Sequence, residues 1–136
     1  MEGEDRGIVN DLLGQFVTRL RERDLDGALQ VFSDDPVLFG SEAEETAHGV
    51  PELEAFFGRL FERPQTYGWA WEEPTVRKSG SVVWFVAPAT VVVRGDDGSE
   101  QSAPYRLSGV LERAADGRWL FSLFNGAEPV SPDQLG

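Results

Sequence analysis

The 136-residue chain contains no cysteine and a single histidine. The first absence excludes disulfides, thiolate nucleophiles and cysteine zinc sites. One histidine without any cysteine also argues against a transition-metal centre, so neither a metal nor another cofactor is expected. Long apolar runs are missing too: none approaches the roughly 20 residues that cross a bilayer, so no membrane span is expected. Basic residues are scarce, 12 Lys and Arg against 24 Asp and Glu, for a net charge of −12. That balance repels phosphate backbones, and the cations are interleaved with acids, as in Arg19-Leu20-Arg21-Glu22-Arg23-Asp24. Nucleic acid is therefore a poor partner, and the acidity reads as a solubility device. Residues 1–7 are acidic where a secretory leader would be basic and then apolar, which points to the cytoplasm. No GxSxG elbow, P-loop, dinucleotide fingerprint or metalloprotease helix occurs.

What is present is the composition of one globular domain, 40% hydrophobic and 11% aromatic. A chain of this length buries roughly 70% of its unfolded surface, enough for a core. Ile8, Val9, Leu12, Leu13, Phe16, Val17 and Leu20 recur at three- and four-residue spacing, which predicts a helix over Ile8 to Arg23. Asp24 is the expected N-cap of a second, short helix with Leu25, Ala28, Leu29 and Phe32 on its stripe, and Pro36 bars its continuation. A short strand follows at Val37-Leu38-Phe39. Pro51 opens a third helix with Leu53, Phe56, Phe57, Leu60 and Phe61 on one face, ended by Pro64.

From Tyr67 the spacing turns β-like, in runs of about Tyr67 to Arg77, Val82 to Arg94, Gln101 to Arg113 and Arg118 to Ala127. Short glycine-bearing connections between them predict an antiparallel meander. Pro88 and Pro104 fall inside two of the runs and call for a bulge or an edge there, since proline cannot donate to a ladder. Three helices ahead of four long strands give an α+β order in which a curved sheet wraps the helices into a cone. Residues 8–127 form the single expected domain, with a flexible tail at 1–7 and another tail at 128–136.

Ser33 to Gly49 reads SDDPVLFGSEAEETAHG: an aspartate pair, a short strand, and a polar loop closing on His48-Gly49 before a helix. With Asp24-Leu25-Asp26-Gly27-Ala28-Leu29 before it and Asp116-Gly117-Arg118-Trp119 in the last hairpin, the chain resembles the nuclear transport factor 2-like superfamily. That group includes the ketosteroid isomerases and the SnoaL-type polyketide cyclases, and the resemblance covers about Ile8 to Gly126. It implies the cone fold. It also implies where an isomerase would carry its groups: a tyrosine at Phe16, the base at Gly40 and a second acid at Gly109. All three are absent here. Loss of a general base alone typically costs 10²- to 10⁴-fold in rate, so that reaction by that route is not expected.

Two substitutes stand in the loop. Glu45, set on the alternation Glu45-Thr46-Ala47-His48, is the acid expected to point inward if any of Glu42, Glu44 and Glu45 does. His48 has the one side chain that ordinarily titrates near neutrality. Each also has a plain structural reading, as a solvated acid and as a backbone-bonding histidine. If the family register holds, Phe16, Leu20, Phe32 and Phe56 meet Trp84, Tyr105, Leu107 and Phe124 in an apolar interior, which suits a pocket for a small hydrophobic ligand. The same residues suit a filled core. Gly40 and Gly109 favour a void by removing volume. In Tyr67-Gly68-Trp69-Ala70-Trp71 the rings share one face, and the alignment turns them away from the interior. There, extended by Trp119, Phe121 and Leu123, they predict a homodimer through the sheet. Three readings result: a homodimeric binding protein, a polyketide cyclase-like or isomerase-like enzyme using Glu45 or His48, and a protein-interaction module.

Overall fold

The computed structural model describes residues 2–135. Helix α1 (Glu2–Arg21) buries Val9, Leu12, Leu13, Phe16 and Leu20, the stripe its spacing predicts. It starts ahead of that stripe. The stretch expected as a tail supplies its first turns from Glu2 onward, and that end is tied to the sheet by the Arg6–Glu73 pair and by Asp5, 4.0 Å from Lys78. After α1, Arg23 adopts φ 53° and donates to the carbonyls of Arg63 and Pro64, both at 3.0 Å. Asp24 Oδ1 accepts the Gly27 N–H at 3.0 Å and caps helix α2 (Leu25–Gln30).

Phe32 was expected on the α2 stripe. Instead it opens strand β1 (Phe32–Phe39), because the Val31 carbonyl accepts the Phe121 N–H at 2.8 Å and sheet pairing replaces the next helical turn. Strand β2 (Thr46–His48) folds back on β1, and helix α3 (Val50–Glu62) starts at Gly49, whose φ of 86° a side chain would resist. Pro51 sits in its first turn and its buried face is Leu53 and Phe57.

Five further strands complete the sheet: β3 (Thr66–Trp71), β4 (Thr75–Ser79), β5 (Val82–Arg94), β6 (Glu100–Arg113) and β7 (Trp119–Ala127), with a short helix α4 (Pro132–Leu135) after them. The order is β2-β1-β7-β6-β5-β3, with β4 also on β5, and only β1–β7 is parallel. The curved, unclosed sheet and the helices packed against it make the expected α+β cone. The run Tyr67 to Arg77 is not one strand. It breaks at Glu72–Pro74, and the two pieces share one flank of β5, β4 taking Val82–Val86 and β3 taking Ala89–Arg94. Pro88 sits at the seam, where its carbonyl accepts the Glu72 N–H at 2.9 Å and no ladder donor is required of it. Pro104 lies beyond the Arg106–Arg113 stretch that pairs with β7, on an open edge.

One bulge reorders the interior. Val110 pairs with Leu123 but Leu111 pairs with Phe121, so Ser122 is the extra residue in β7. Strict alternation would send Phe121 and Phe124 to opposite faces. With the bulge both are buried, ring centroids 5.3 Å apart, while Leu123 faces out. Phe121 is thus core and cannot extend an outer patch.

Candidate functional site

Phe16, on the C-terminal half of α1, is the hub of the aromatic interior. Its ring meets Phe124 and Phe32 edge-on at 5.0 and 5.3 Å, Phe57 at 5.9 Å and Trp69 at 5.5 Å. Toward the N-terminal half of α1, Val9 and Leu13 are fully buried. On the other side of Phe16 lies a cavity of about 210 Å³, walled by Phe16, Leu20, Leu38, Phe56, Phe57, Leu60, Trp69, Val91, Val93 and Phe124. An engineered cavity of roughly 150 Å³ lined by Leu, Ile and Phe takes benzene. The space therefore fits one substituted ring or a small fused pair.

The polar side chains gather at the rim: Ser41, Glu42, Glu45, Arg63, Tyr67, Tyr105 and Glu128. The Ser41–Glu45 loop is a tight turn, with Gly40 N–H on the Glu45 carbonyl at 2.7 Å and Glu45 N–H on the Glu42 carbonyl at 3.0 Å. This folds the Glu45 side chain back over Gly40. Its Oε1 accepts the Glu42 N–H at 3.1 Å, and a Cβ on Gly40 would stand only 2.6 Å from that oxygen. A carboxylate thus occupies the space at Gly40 after all, delivered from the loop. Glu42 and Glu44 are exposed, whereas Glu45 is half-buried.

Burial pushes the Tyr105 hydroxyl above the ordinary phenol value, and the Glu45 and Glu128 charges push the same way, while hydrogen bonding with Ser41 opposes them. Tyr105 packs over Gly126, where a Cβ would come within 2.5 Å of the hydroxyl. Arg63 Nη1 donates to the Tyr67 hydroxyl at 3.3 Å, and its guanidinium stands 5.7 Å from the Tyr67 ring centroid. That hydrogen bond is the main reason its proton is held more tightly than usual; the Glu42 and Glu45 charges add to it against the effect of burial.

Several expectations are corrected. Gly109 leaves no void: a Cβ there would lie 2.5 Å from the Leu123 carbonyl oxygen and 3.1 Å from the Phe85 ring. Gly40 leaves none either, since Glu45 fills it. Trp84 is not a lining residue. Val83 and Phe85 face the core, so Trp84 between them projects outward and is 44% exposed. His48 also faces out, because Ala47 is the buried residue of β2, and its ring lies edge-on to Phe39 at 5.7 Å. Phe32 and Leu107 are buried behind the wall, whereas Phe16, Leu20, Phe56, Tyr105 and Phe124 line the cavity.

The largest change concerns β3. Trp69 points inward, 5.1 Å from Phe124 and stacked at 6.4 Å on Tyr105, and Trp71 Nε1 donates to Asn10 Oδ1 at 2.9 Å. Gly68 takes the other face, where the Arg21 guanidinium would meet any Cβ at 2.7 Å. The alternation was sound but its face was reversed. Trp69 and Tyr67 were missed as lining residues for that reason, whereas Arg63, the C-cap residue of α3, belongs to no periodic stripe, and the Trp71 partner Asn10 lies 61 residues away in sequence. Among the described residues no group of three or more His, Asp or Glu stands close enough to hold a metal ion, and no helix is long and apolar enough to cross a membrane.

A family model described as a SnoaL-like domain matches residues 9–122. No curated protein matches the chain. Solved structures do match. A candidate aromatic ring hydroxylase from Novosphingobium aromaticivorans is 20% identical, with 94% of this chain and 91% of that chain covered at TM-score 0.81. ActVI-ORFA from Streptomyces coelicolor is 17% identical, with 89% and 94% covered at TM-score 0.75. A nuclear transport factor 2-like superfamily protein from Salmonella enterica is 13% identical, with 97% and 96% covered at TM-score 0.80. At these identities the likeness is one of fold.

Proposed function

The chain belongs to the SnoaL-like family of the nuclear transport factor 2-like superfamily, and we propose that it is a cytoplasmic homodimer that binds a small hydrophobic, ring-sized molecule in its cone. The observation that carries this is the division of the cavity: aromatic and aliphatic walls around about 210 Å³, with every polar side chain at one rim. Such a site buries the ring and leaves one polar substituent facing Tyr105, Glu45 and Arg63. A structural neighbour is named for aromatic rings, which agrees with that size. Four-ring ligands exceed it. The test is calorimetry and thermal shift with one- and two-ring compounds, beside a Val91→Trp variant that fills the space. Ligand at a hundredfold excess over Kd adds about 2.7 kcal/mol to stability. Binding by none of them, or equal binding by the filled variant, sinks the reading.

The dimer would form through the outer sheet face. Register sets Trp84, Val110, Leu123 and Val37 in one row and Val86, Ser108, Asn125 and Phe39 in the next, none of them charged. In a chain of 24 acids, two copies repel least where no acid stands. An uncharged face of mostly apolar side chains, broken only by Ser108 and Asn125 in these rows, suits an interaction surface. Sedimentation of wild type and Trp84→Glu decides it: a dimer that the substitution dissociates supports the reading. A monomeric wild type removes it and leaves the face to a different protein.

A second reading, an enzyme, is favoured by the Glu45 carboxylate above Gly40 in the wall that also holds Tyr105. Glu45 would take a proton next to a carbonyl while Tyr105 donates to its oxygen. Deuterium exchange of small cyclic ketones, followed by NMR, checks it. Equal exchange with wild type and Glu45→Gln excludes Glu45 as the base.

A further inference from the structure

We infer that the preferred ligand of the cone is an organic ammonium: a protonated amine on an aliphatic tether carrying one or two rings. This rests on the cone being a ligand site and adds the ligand's charge. Two independent features of the cavity point to it. The first is its walls. Phe16, Tyr67, Trp69, Tyr105 and Phe124 are drawn from α1, β3, β6 and β7, so aromatic rings face the space from several sides. Ring faces carry negative potential, and a cation within about 6 Å of such a ring is attracted to it, more strongly where water is excluded. An aromatic-walled cavity is thus electrostatically suited to a cation even before any formal charge is counted.

The second feature is the rim. Its formal charges are the carboxylates of Glu42, Glu45 and Glu128 against the single cation Arg63. Arg63 is already engaged, by its hydrogen bond to the Tyr67 hydroxyl and by the Glu42 and Glu45 charges. Glu45, by contrast, commits Oε1 to one backbone N–H, and among the described residues no hydrogen bond reaches its Oε2. The rim therefore offers acceptors and surplus negative charge. A carboxylate-bearing ligand would meet repulsion there, and Arg63 would have to leave its partners to answer it. The net charge of −12 acts in the same sense at longer range, since a cleft focuses the field of its protein and raises the local concentration of the opposite charge.

The experiment uses three ligands of matched shape: 2-phenylethylamine, 2-phenylethanol and 3-phenylpropanoate, titrated at neutral pH in low salt with calorimetry and Trp fluorescence. The expected order is amine, alcohol, carboxylate, with the amine at least tenfold tighter than the carboxylate. In a Glu45→Gln, Glu128→Gln variant, checked for folding by its denaturation curve, the amine-to-alcohol ratio narrows at least threefold. Adding 0.5 M salt, about five times the ionic strength that gives a screening length of about 10 Å, should narrow the amine-to-alcohol ratio of the wild type, since Glu42 and Glu128 are exposed to solvent. Carboxylate binding equal to or tighter than the amine overturns the inference while leaving the cone a ligand site. An amine preference unchanged in the double variant overturns the role of the rim acids. If none of the three binds, the cone reading itself fails and takes this inference with it.

Discussion

The two halves of the cone are built from the same long strands and end differently. In one half, Val83, Leu107, Leu111 and Phe121 are fully buried against Val9 and Leu13 of α1. In the other, Val91 and Val93 of β5 continue the same inward-facing row and line a cavity with Trp69 and Phe16. The apolar character is alike. What changes is the cover: the N-terminal half of α1 lies on the sheet, whereas near its C-terminus the chain turns away at Arg21 into α2. A hydrophobic row therefore becomes core or pocket according to what lies over it, and composition alone does not separate the two.

The largest expected effect breaks this comparison at its packed end. Phe121→Ala should cost about 3–5 kcal/mol, since a fully buried ring is lost and the neighbours cannot collapse into the space. Val91→Ala, at the open end, should cost under about 1 kcal/mol, being half-exposed already. Urea denaturation of both variants measures the gap. Equal losses would mean that the two halves are packed alike.

The two interior glycines sharpen the same contrast. Gly109→Ala drives a methyl into the Leu123 carbonyl, a backbone atom that cannot swing aside, and should cost about 1–3 kcal/mol. Gly40→Ala meets chiefly the Glu45 side chain, on an exposed loop, and should cost less than Gly109→Ala while weakening any ligand held at the rim. Stability and affinity measured on both variants separate the effects. A Gly109→Ala protein as stable as wild type would show that β6 and β7 can part there.

The fold was legible in the sequence because periodicity reports burial directly: the α1 and α3 stripes, the turn glycines and the strand prolines all carry a physical constraint that survives folding. The site was only half legible. Alternation in Tyr67-Gly68-Trp69-Ala70-Trp71 states that the rings share a face and is silent on which face, because a strand read in either sense has the same period. Ser122 gives no sign of being a bulge residue, so the inward placement of both Phe121 and Phe124 could not be read. Glu45 was identifiable as the inward acid from the β2 alternation, but its position over Gly40 depends on the turn at Ser41–Glu45.

Filling the open end is a smaller test in the stabilising direction. Val93→Phe adds apolar volume to the cavity and should raise stability by roughly 0.5–1 kcal/mol, as cavity-filling changes commonly do, while ring-sized ligands lose their place. A stability decrease, with ligand binding intact, would show that the side chain turns out of the cone.

The smallest effect belongs to the rim and shows only at high pH. Burial, then the charges of Glu45 and Glu128, raise the Tyr105 hydroxyl above its ordinary value of 10.0. Between the unfolded and folded values the native protein holds a proton that the unfolded chain has released, so stability falls as pH rises. The contribution is fully present below about pH 10 and is lost as pH passes through the folded value. Tyr105→Phe has no proton to lose. The stability difference between wild type and Tyr105→Phe should therefore stay constant from pH 7 to 9, then move against wild type above about pH 10, where urea midpoints measure it. Phe121→Leu, in the packed half, leaves Tyr105 in place, so the stability difference between wild type and Phe121→Leu should stay flat across the same pH range. An identical pH dependence in wild type and Tyr105→Phe would mean that water reaches the hydroxyl freely and that the cone is open down to Tyr105.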